Sequence, residues 1–476
     1  MYHLGVRRMN KITQIEDFLS HSSSRLANTV LDPCPFCGRS HPTPFDSIQN
    51  GSGAIRQVPQ LAHQILHAAP RRPVVIYDQA IEAIIQPGII DPLRALGLPV
   101  EPFPLRGEPG HSLDSGVING NQAAADIGQS ADLLIAAGSG VICDLTKWIA
   151  TRLNTPFILC GTAPSMNGYT SITATITEND IKISRFLNPA NAVVLDVNII
   201  KDAPLSMIHA GMGDLSARAI CNADWKLSEL LKNTYFCPLP YLMTADTEQR
   251  YLESAAGIAQ RSPEKMEILT EAILLSGLSM TILEGETSPS SGAEHVISHF
   301  WDLLVHLRGA PKNLHGAQVG VGTIIMLTAY QVLKEVNPSR IDPRHLLLTR
   351  PSMEDIEAEN QVLYGDKATS FNEVARKKRI PDDRYVDYVR SILDRWDEIW
   401  EALTPYISPV ERIKQPFDQA GVPYKLADVH RTREQAVEAL LHGSHYRPRY
   451  TALDLFWELG LFPQAADEIL ERSGVL

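Results

Sequence analysis

Four short runs of consecutive apolar residues constrain most strongly what this 476-residue chain can fold into. Each run holds five or six residues and is rich in Val, Ile and Leu; they are PVVIYD (73–78), DLLIAA (132–137), PFILC (156–160) and AVVLD (192–196). Continuous apolar runs of this length are typical of strands buried on both faces, as in a parallel sheet covered by helices. We therefore predict a parallel α/β sheet in this part of the chain.

The pattern changes along the rest of the chain. The segment ITATITENDIKISRF alternates apolar and polar residues around Glu178-Asn179-Asp180, which predicts a β-hairpin beside the parallel sheet. After about residue 203 strand patterns nearly vanish. Ser262 and Pro263 are typical of an N-cap and the first position of a helix. DDRYVDYVRSILDRWDEIWEAL has apolar residues every three or four positions, which predicts a half-buried helix.

This change predicts an α/β plus all-α architecture with three parts. Residues 1–55 are polar and irregular and are interpreted as an N-terminal extension. Residues 56–202 are predicted to form an α/β domain, and residues 203–476 a helical domain, with a ligand site expected in a cleft between these two.

Composition narrows the class of protein. Hydrophobic residues make up 44% of the chain and charged residues 21%, as in ordinary globular proteins, and the formal net charge is −12. That charge disfavours nucleic acid as a partner. No apolar run reaches the ~20 residues that membrane insertion requires. The six cysteines are thinly spread, so we expect free thiols in a reducing, cytoplasmic environment.

A glycine turn follows the second apolar run. In LLIAAGSGVICDLTKW, Gly138 and Gly140 allow a tight turn close to a phosphate, and the helix starting near Val141 offers unpaired N–H groups to that anion. The usual dinucleotide fingerprint has a third glycine where this chain has Cys143. The turn therefore indicates either a nucleotide site or a plain connection between strand and helix.

A loop rich in hydroxyl and amide groups follows the third run. In GTAPSMNGYTS (161–171), the polar side chains are Thr162, Ser165, Asn167 and Ser171. Ligands commonly bind at the carboxyl ends of parallel strands, which favours a binding loop. The alternative is a turn whose side chains bond their own backbone.

The helical half contains residues suited to a metal. Asp214 follows Gly211 and Gly213 in HAGMGDLSAR, two glycines that let another backbone or a ligand come close. His295 and His299 share a helix face four residues apart, and His315 follows in NLHGAQVGVG. One carboxylate and two or three imidazoles suit Zn²⁺, Fe²⁺ or Ni²⁺. The alternative is ordinary surface histidines, since the chain has fifteen.

The extension contains a possible second metal site. CPFCGRSH places Cys34, Cys37 and His41 at a spacing similar to half a zinc knuckle. A closed zinc site needs a fourth ligand, for which His21 is the nearby candidate. The alternative is a reduced, loosely ordered segment.

Taken together, the motifs resemble one family. GSGVICDLTKW, GTAPSMNGYTS, AGMGDLSAR, GAEHVISH and LHGAQVGVG occur in the order found in sn-glycerol-1-phosphate dehydrogenases, particularly their bacterial branch, over roughly residues 70–340. The parent superfamily joins dehydroquinate synthases and metal-containing glycerol dehydrogenases. The resemblance implies a dehydroquinate synthase-like fold, with a nucleotide-binding α/β domain, a helical metal-binding domain and the active site in the cleft.

The resemblance also implies roles for particular residues. The NAD(P) pyrophosphate would be held by Gly138, Ser139, Gly140 and Asp144. Thr162, Ser165 and Ser171 would contact the cofactor near its nicotinamide, and one divalent metal (zinc, nickel or iron) would be bound by Asp214, His295 and His315. Asp214 and His299 would act in catalysis and, with Asn167, bind the substrate.

Two further positions bear on specificity. The family usually has Asp where this chain has Asn167, which keeps a carbonyl but loses the charge. This departure puts the identity of the substrate in doubt. Asp78 ends the first apolar run, where a carboxylate can bond a ribose hydroxyl and disfavour a 2′-phosphate, favouring NAD over NADP.

The implied reaction is the reduction of dihydroxyacetone phosphate to sn-glycerol 1-phosphate, in phospholipid metabolism, by a homo-oligomer. The metal would stabilise the developing alkoxide, and His299 would orient the substrate or relay its proton. Three alternatives stay open: a dehydroquinate synthase-like lyase, a reductase of another small polyol or phosphorylated ketone, and a catalytically weakened descendant that binds nucleotide.

Overall fold

The computed structural model describes residues 9–107, 113–178 and 181–476. The chain divides into two compact units. The first unit comprises residues 1–215, 237–287 and 419–421, and the second comprises residues 216–236, 288–418 and 422–476. These units do not coincide with the boundaries predicted at residues 55 and 202, because the first unit takes in the N-terminal segment and several helices that follow the sheet.

The strands all lie in the first unit and form three sheets. They are β1 (Asn10–Ile12), β2 (Thr29–Leu31), β3 (His41–Thr43), β4 (Ser47–Gly51), β5 (Pro73–Asp78), β6 (Glu101–Leu105), β7 (Leu133–Gly138), β8 (Phe157–Gly161), β9 (Thr173–Glu178), β10 (Ile181–Phe186) and β11 (Ala192–Asp196). In the part of the chain that the structure describes, no strand follows β11. The loss of strand patterns after about residue 203 is thus confirmed.

The largest sheet is parallel and has six strands in the order β4-β11-β8-β7-β5-β6. Its four inner strands are the four predicted apolar runs, and their side chains are almost completely buried. The chain leaves β5 toward β6 and then returns to β7 on the other side of β5. This reversal places a topological switch point at the carboxyl ends of β5 and β7, where open α/β sheets bind ligands.

The two edge strands of this sheet were not predicted. β4 is the polar segment SIQNG, and β6 is EPFPL with two prolines. Proline is tolerated at a sheet edge because one row of backbone groups there needs no partner strand. Each edge strand therefore lacks the continuous apolar run that marks the inner strands.

The predicted hairpin is confirmed. β9 and β10 pair antiparallel from Thr173 opposite Phe186 to Glu178 opposite Ile181. They form a two-stranded sheet of their own rather than joining the parallel sheet. The turn residues Asn179 and Asp180 of the prediction lie outside the described residues.

From residue 9 onward, where the description begins, the N-terminal segment is folded, which corrects its interpretation as an irregular extension. β1 and β2 pair parallel, β2 and β3 pair antiparallel, and β4 joins the edge of the large sheet beside β11. Both the backbone N–H and the hydroxyl of Ser23 donate to the carboxylate of Glu271, at 2.6 and 2.7 Å. These hydrogen bonds tie the segment to the body of the first unit.

The helices follow in chain order. The earlier ones are α1 (Ile15–Ser20), α2 (Ser23–Leu26), α3 (Val58–Leu66), α4 (Glu82–Ile85), α5 (Asp91–Ala95), α6 (Val117–Ile127), α7 (Gly140–Leu153), α8 (Val197–Ile200), α9 (Leu205–Ser216), α10 (Arg218–Lys232), α11 (Leu239–Glu253), α12 (Ala255–Ala259) and α13 (Pro263–Thr281). The later ones are α14 (Ala293–Arg308), α15 (His315–Lys334), α16 (Pro343–Thr349), α17 (Met353–Tyr364), α18 (Ala368–Lys378), α19 (Asp382–Asp394), α20 (Trp396–Leu403), α21 (Glu411–Ala420), α22 (Arg433–His442), α23 (Ala452–Glu458) and α24 (Gln464–Ser473).

The second unit is helical throughout its described residues, with α14 packed on α15 near its centre. The predicted amphipathic helix is present but breaks at Arg395 into α19 and α20, and its apolar stripe is buried along both helices. By length and composition alone, α15 qualifies as a membrane-spanning helix. However, 89% of that window is buried inside the protein, as in a core helix of a globular unit.

Candidate active site

The glycine turn lies at the switch point of the large sheet. β7 ends at Gly138, Ser139 is the N-cap, and α7 begins at Gly140. A Cβ atom on Gly138 would lie only 2.6 Å from the Cβ of Ile142, so this position requires glycine. The first N–H groups of α7 have no partner within the helix, and such groups form a natural site for a phosphate. The buried thiol of Cys143 fills the place of the third glycine.

Asp144, predicted to belong to the pyrophosphate loop, has a partner in the hairpin. Its carboxylate accepts a hydrogen bond from the N–H of Thr175 at 3.2 Å and lies 3.9 Å from the ammonium of Lys147. Burial raises the pKa of Asp144 to about 6, against the attraction of Lys147. These contacts show that Asp144 joins α7 to β9.

Lys147 is the residue here that the sequence analysis missed. Its side chain is fully buried, and its ammonium donates to the carbonyl oxygens of Gly168 and Thr173 at 2.6 and 2.9 Å. Burial lowers the pKa of Lys147, opposed by the nearby carboxylate of Asp144. Its position one helical turn after Asp144 in GSGVICDLTKW is a signal that could have identified the pair.

The loop 161–171 lies directly after β8 and next to the glycine turn. The N–H of Thr162 donates to the carbonyl oxygen of Gly138 at 3.0 Å, which joins the two loops. Ser165 is buried. Ser171 is also buried, and its hydroxyl accepts from the N–H of Thr173 at 3.1 Å, so it supports the local backbone.

Asp78 likewise bonds its own backbone. It ends β5 at the switch point, as predicted, and its carboxylate accepts a hydrogen bond from the N–H of Ala80 at 2.9 Å. A carboxylate with two oxygens can cap this turn and still accept from a ribose hydroxyl.

Asn167 connects the loop to Asp214. The backbone N–H of Asn167 donates to a carboxylate oxygen of Asp214 at 2.9 Å, and its side-chain amide donates to the hydroxyl of Ser276 at 3.1 Å. Asp214 is buried on α9. A Cβ atom at Gly211, one turn earlier, would collide with the carbonyl oxygen of Pro164. The predicted close approach at Gly211 is therefore between α9 and the backbone of the loop 161–171.

The histidines lie together in the second unit. His295 and His299 are on α14, and His315 is the first residue of α15. The ring centroids of His295 and His315 are 5.1 Å apart. The Nδ1 atom of His295 lies 2.8 Å from the carboxylate of Glu294, and that of His315 lies 3.2 Å from the hydroxyl of Ser298.

This arrangement fits a metal. An imidazole that ligates a metal through Nε2 typically has an oxygen partner at Nδ1, which fixes the ring and its tautomer. Glu294 and Ser298 are such partners, and the sequence analysis had not assigned either. Two imidazoles held this way would supply two of the three protein ligands of a typical catalytic zinc or iron site.

His299 has different neighbours. Its ring stacks on Tyr446, with centroids 5.8 Å apart, and lies 5.3 Å from that of His315. Its Nδ1 atom is 3.8 Å from the carboxylate of Asp302, and His299, Asp302 and His315 form a second grouping of possible ligands. Burial, with the nearby positive charge of Arg447, lowers the pKa of His299 well below its usual value. Both effects favour the neutral form of this imidazole.

The predicted N-terminal metal residues are also brought together. Cys34, Cys37 and His41 each offer a ligand atom within 4.8 Å of the others, and the fourth member of the cluster is Cys237. The suggestion of His21 as the fourth ligand is corrected by this geometry, because the cluster has Cys237 in that place and does not include His21.

Comparison with known proteins gives the family. The sequence profile of the family described as iron-containing alcohol dehydrogenase matches residues 49–204. Glycerol-1-phosphate dehydrogenase [NAD(P)+] from Halalkalibacterium halodurans is 31% identical over 308 residues, covering 64% of this chain and 75% of that protein. The protein of the same name from Bacillus licheniformis is 31% identical over 300 residues, covering 62% of this chain and 73% of that protein.

The chain belongs to the glycerol-1-phosphate dehydrogenase family. The resemblance drawn from the motifs is thereby confirmed.

The fold of this family member also has solved counterparts. Glycerol dehydrogenase from Schizosaccharomyces pombe superposes with a TM-score of 0.55 at 16% identity, covering 90% of this chain and 91% of that one. At this identity the likeness concerns the fold alone. It confirms the predicted architecture of an α/β region followed by a helical region.

Proposed function

We propose that this chain is a metal-dependent NAD(P)H oxidoreductase that interconverts dihydroxyacetone phosphate and sn-glycerol 1-phosphate by hydride transfer. The observation that carries the proposal is the match to relatives named glycerol-1-phosphate dehydrogenase [NAD(P)+], of which the chain covers about three quarters. The intact glycine turn and the paired histidines, each with an oxygen at Nδ1, support it.

For the cofactor, we propose that Gly138, Ser139 and Gly140 hold the pyrophosphate of NAD(P). The support is their place at the switch point and the start of α7, whose N–H groups attract an anion. Asp144 would act indirectly, by joining α7 to the hairpin, and Thr162, Ser165 and Ser171 would line the nicotinamide end. Asp78 would favour NAD over NADP through a ribose hydroxyl.

For the metal, we propose Asp214, His295 and His315 as ligands. The donor set of one carboxylate and two imidazoles leaves an open position and suits zinc, iron or nickel. When bound, the metal would supply Lewis-acid stabilisation for charge that develops on the substrate oxygen. Glu294 and Ser298 keep the two rings in orientation through their Nδ1 atoms.

For proton transfer, we propose His299. It is a buried imidazole between His315 and Tyr446, with the carboxylate of Asp302 near its Nδ1 atom, and burial favours its neutral form. A neutral imidazole beside a carboxylate can take a proton from an alcohol in one direction and return it in the other. Its role would thus be to orient the substrate and hold the transferred proton.

Asn167 is proposed to contact the substrate. Its backbone N–H supports Asp214 whatever the side chain is, so the exchange of Asp for Asn keeps that contact. The side-chain amide, held by Ser276, is a neutral group where the resemblance to the family implies a carboxylate. A reducing environment suits the chain, since none of its six cysteines forms a disulfide, and we propose a cytoplasmic enzyme.

The test is oxidation of NADH with dihydroxyacetone phosphate, using protein stripped by a chelator and reloaded with zinc, nickel or iron. We expect turnover that depends on the metal, and a product of the 1-phosphate configuration in chiral analysis. Saturable NADH binding without turnover under any metal would refute the proposal. Release of phosphate from 3-deoxy-arabino-heptulosonate 7-phosphate would instead establish the lyase.

Asn167→Asp tests the departure from the family. It adds a charge beside the Asp214 contact, so we expect the KM for dihydroxyacetone phosphate to change about tenfold while the KM for NADH stays within about twofold. Equal changes in both constants would show that Asn167 does not contact the substrate.

A further inference from the structure

Four potential metal ligands converge inside the first unit, and none of them is among the predicted active-site residues. They are the thiols of Cys34, Cys37 and Cys237 and the Nε2 atom of His41. Each of these atoms lies within 4.8 Å of the other three. Cys237 comes from the segment before α11, about two hundred positions after the N-terminal three. Ile282, whose carbonyl oxygen contacts the His41 ring, directly follows α13.

The distances match those of a tetrahedral site. Sulfur and nitrogen ligands at the usual zinc bond lengths are separated by about 3.8 Å between two sulfurs and about 3.6 Å between sulfur and nitrogen. The Sγ atoms of Cys34 and Cys237 are 3.9 Å apart. The Nε2 atom of His41 lies 3.3 Å from Cys37 Sγ and 3.8 Å from Cys237 Sγ.

The imidazole is oriented for ligation by Nε2. Its Nδ1 atom lies 2.8 Å from the carbonyl oxygen of Ile282, which can only accept a hydrogen bond. The ring proton is therefore on Nδ1, and the lone pair of Nε2 faces the thiols. A backbone carbonyl in this position is a common outer partner of zinc-bound histidine.

The turn that carries the first two cysteines is closed like a zinc knuckle. The N–H of Cys34 donates to the carbonyl oxygen of Arg39, and the N–H of Gly38 donates to the carbonyl oxygen of Cys34, both at 2.9 Å. Gly38 has a φ of 73°, in the left-handed region that favours glycine. Both thiols thereby lie on the same side of the turn as His41, which begins β3.

The cluster is also buried. Cys34, His41 and Cys237 are each at most 2% exposed, and Cys37 is partly exposed. The sulfur separation of 3.9 Å is far longer than a disulfide bond of about 2 Å. A closed set of four protein ligands with no position for water is typical of structural zinc rather than catalytic zinc.

We propose that Cys34, Cys37, His41 and Cys237 bind a structural Zn²⁺ that fastens the N-terminal sheet to the helices α11 and α13 of the same unit. On binding, the three thiols lose their protons to solvent, and the imidazole binds as the neutral ligand. The site is separate from the metal proposed for catalysis, and its existence does not depend on the reaction that the protein catalyses.

The first test counts metal in purified protein grown with zinc. The double variant His295→Ala/His315→Ala removes two ligands of the other proposed site, and it should still contain about one zinc per chain. Adding Cys237→Ala should bring zinc close to zero. The matched control is Cys160→Ala, which removes a buried free thiol of the same unit on β8 and should leave the zinc count unchanged.

The second test uses the unaltered chain, so that it does not depend on a variant folding. Protein loaded with Co²⁺ in place of zinc should show thiolate-to-cobalt charge-transfer absorption, which a site of histidines and a carboxylate cannot produce. Retention of that absorption in His295→Ala/His315→Ala would assign it to the cysteine cluster. An unchanged zinc count after Cys237→Ala, absence of the thiolate bands, or a Cys34–Cys237 disulfide found by mass spectrometry would each overturn the proposal.

Discussion

Replacing Lys147 by methionine tests how α7 of the first unit is held to the loop 161–171. The ammonium of Lys147 is buried on α7 and donates to the carbonyl oxygens of Gly168 and Thr173, in the loop 161–171 and at the start of β9. Methionine keeps most of the volume of the side chain but supplies no donor and no charge. The change therefore leaves two carbonyl oxygens and the carboxylate of Asp144 without their cation.

The expected cost follows from these contacts. Removing one partner of a buried ion pair typically costs about 3–5 kcal/mol of unfolding free energy. We expect about 3 kcal/mol, the lower end, because the side chain of Asp144 is 16% exposed and water can reach it. In a unit of this size, each kcal/mol lost from the unfolding free energy lowers the melting temperature by about 2 °C. A loss of about 3 kcal/mol therefore lowers it by about 6 °C.

The loss should also depend on pH. The pKa of Asp144 is about 6 in the folded protein, above its unfolded value, so the folded state binds more protons and loses stability as pH rises through that range. Without Lys147 this pKa rises further, because the attraction of the cation is gone. The deficit of Lys147→Met should therefore be smaller at pH 5 than at pH 8, and Asp144→Asn should restore about 1–2 kcal/mol at pH 8.

Scanning calorimetry at the two pH values measures these quantities. The matched control is Lys201→Met, whose exposed ion pair with Asp202 should contribute less than about 0.5 kcal/mol. A loss below about 1 kcal/mol for Lys147→Met, or the same loss at both pH values, would refute the reasoning that the buried pair holds α7 to the loop.

Three further predictions concern other parts of the molecule. His295→Ala should abolish metal binding at the proposed catalytic site, whereas His299→Ala should retain the metal and lower kcat by about 10²–10⁴. Metal analysis and steady-state kinetics measure the two effects. Loss of the metal in both variants would contradict the division of roles. Gly211→Ala forces α9 away from the loop 161–171 and should cost about 1–3 kcal/mol in calorimetry, whereas Gly88→Ala, with open space at its Cβ, should cost less than about 1 kcal/mol. Burial lowers the pKa of His445 to about 4, so its contribution to stability is present above its unfolded pKa and is lost as pH falls through the folded one. His445→Gln should make denaturant-unfolding stability less steep between about pH 6.5 and 4, and an unchanged slope would exclude His445 as a source of acid sensitivity.

The inner strands of the large sheet could be predicted because each is apolar on both faces. PVVIYD and AVVLD have the same bounds in the sequence analysis and in the structure, as β5 and β11. The edge strands β4 and β6 could not be predicted in this way, since one side of each meets solvent and tolerates polar residues or proline.

The chemistry of the candidate site was visible in sequence, but the contacts of each residue were not. The spacing of His295 and His299 placed both on one helix face, as the structure shows. Which nitrogen His315 presents depends on Ser298, whose hydroxyl reaches the ring only because α14 packs on α15. Ser171, predicted to meet the cofactor, bonds the backbone of Thr173, and only the folded loop reveals this.

The sequence by itself determined the fold class, the family and the types of residue in the site, because these depend on local periodicity and on motifs a few residues long. Only the tertiary structure joined Cys237 to CPFCGRSH and Lys147 to the loop 161–171. The sulfur of Cys237 lies beside an imidazole 196 positions earlier. Such pairings are decided by burial summed over the whole first unit, and no short stretch of sequence contains that information.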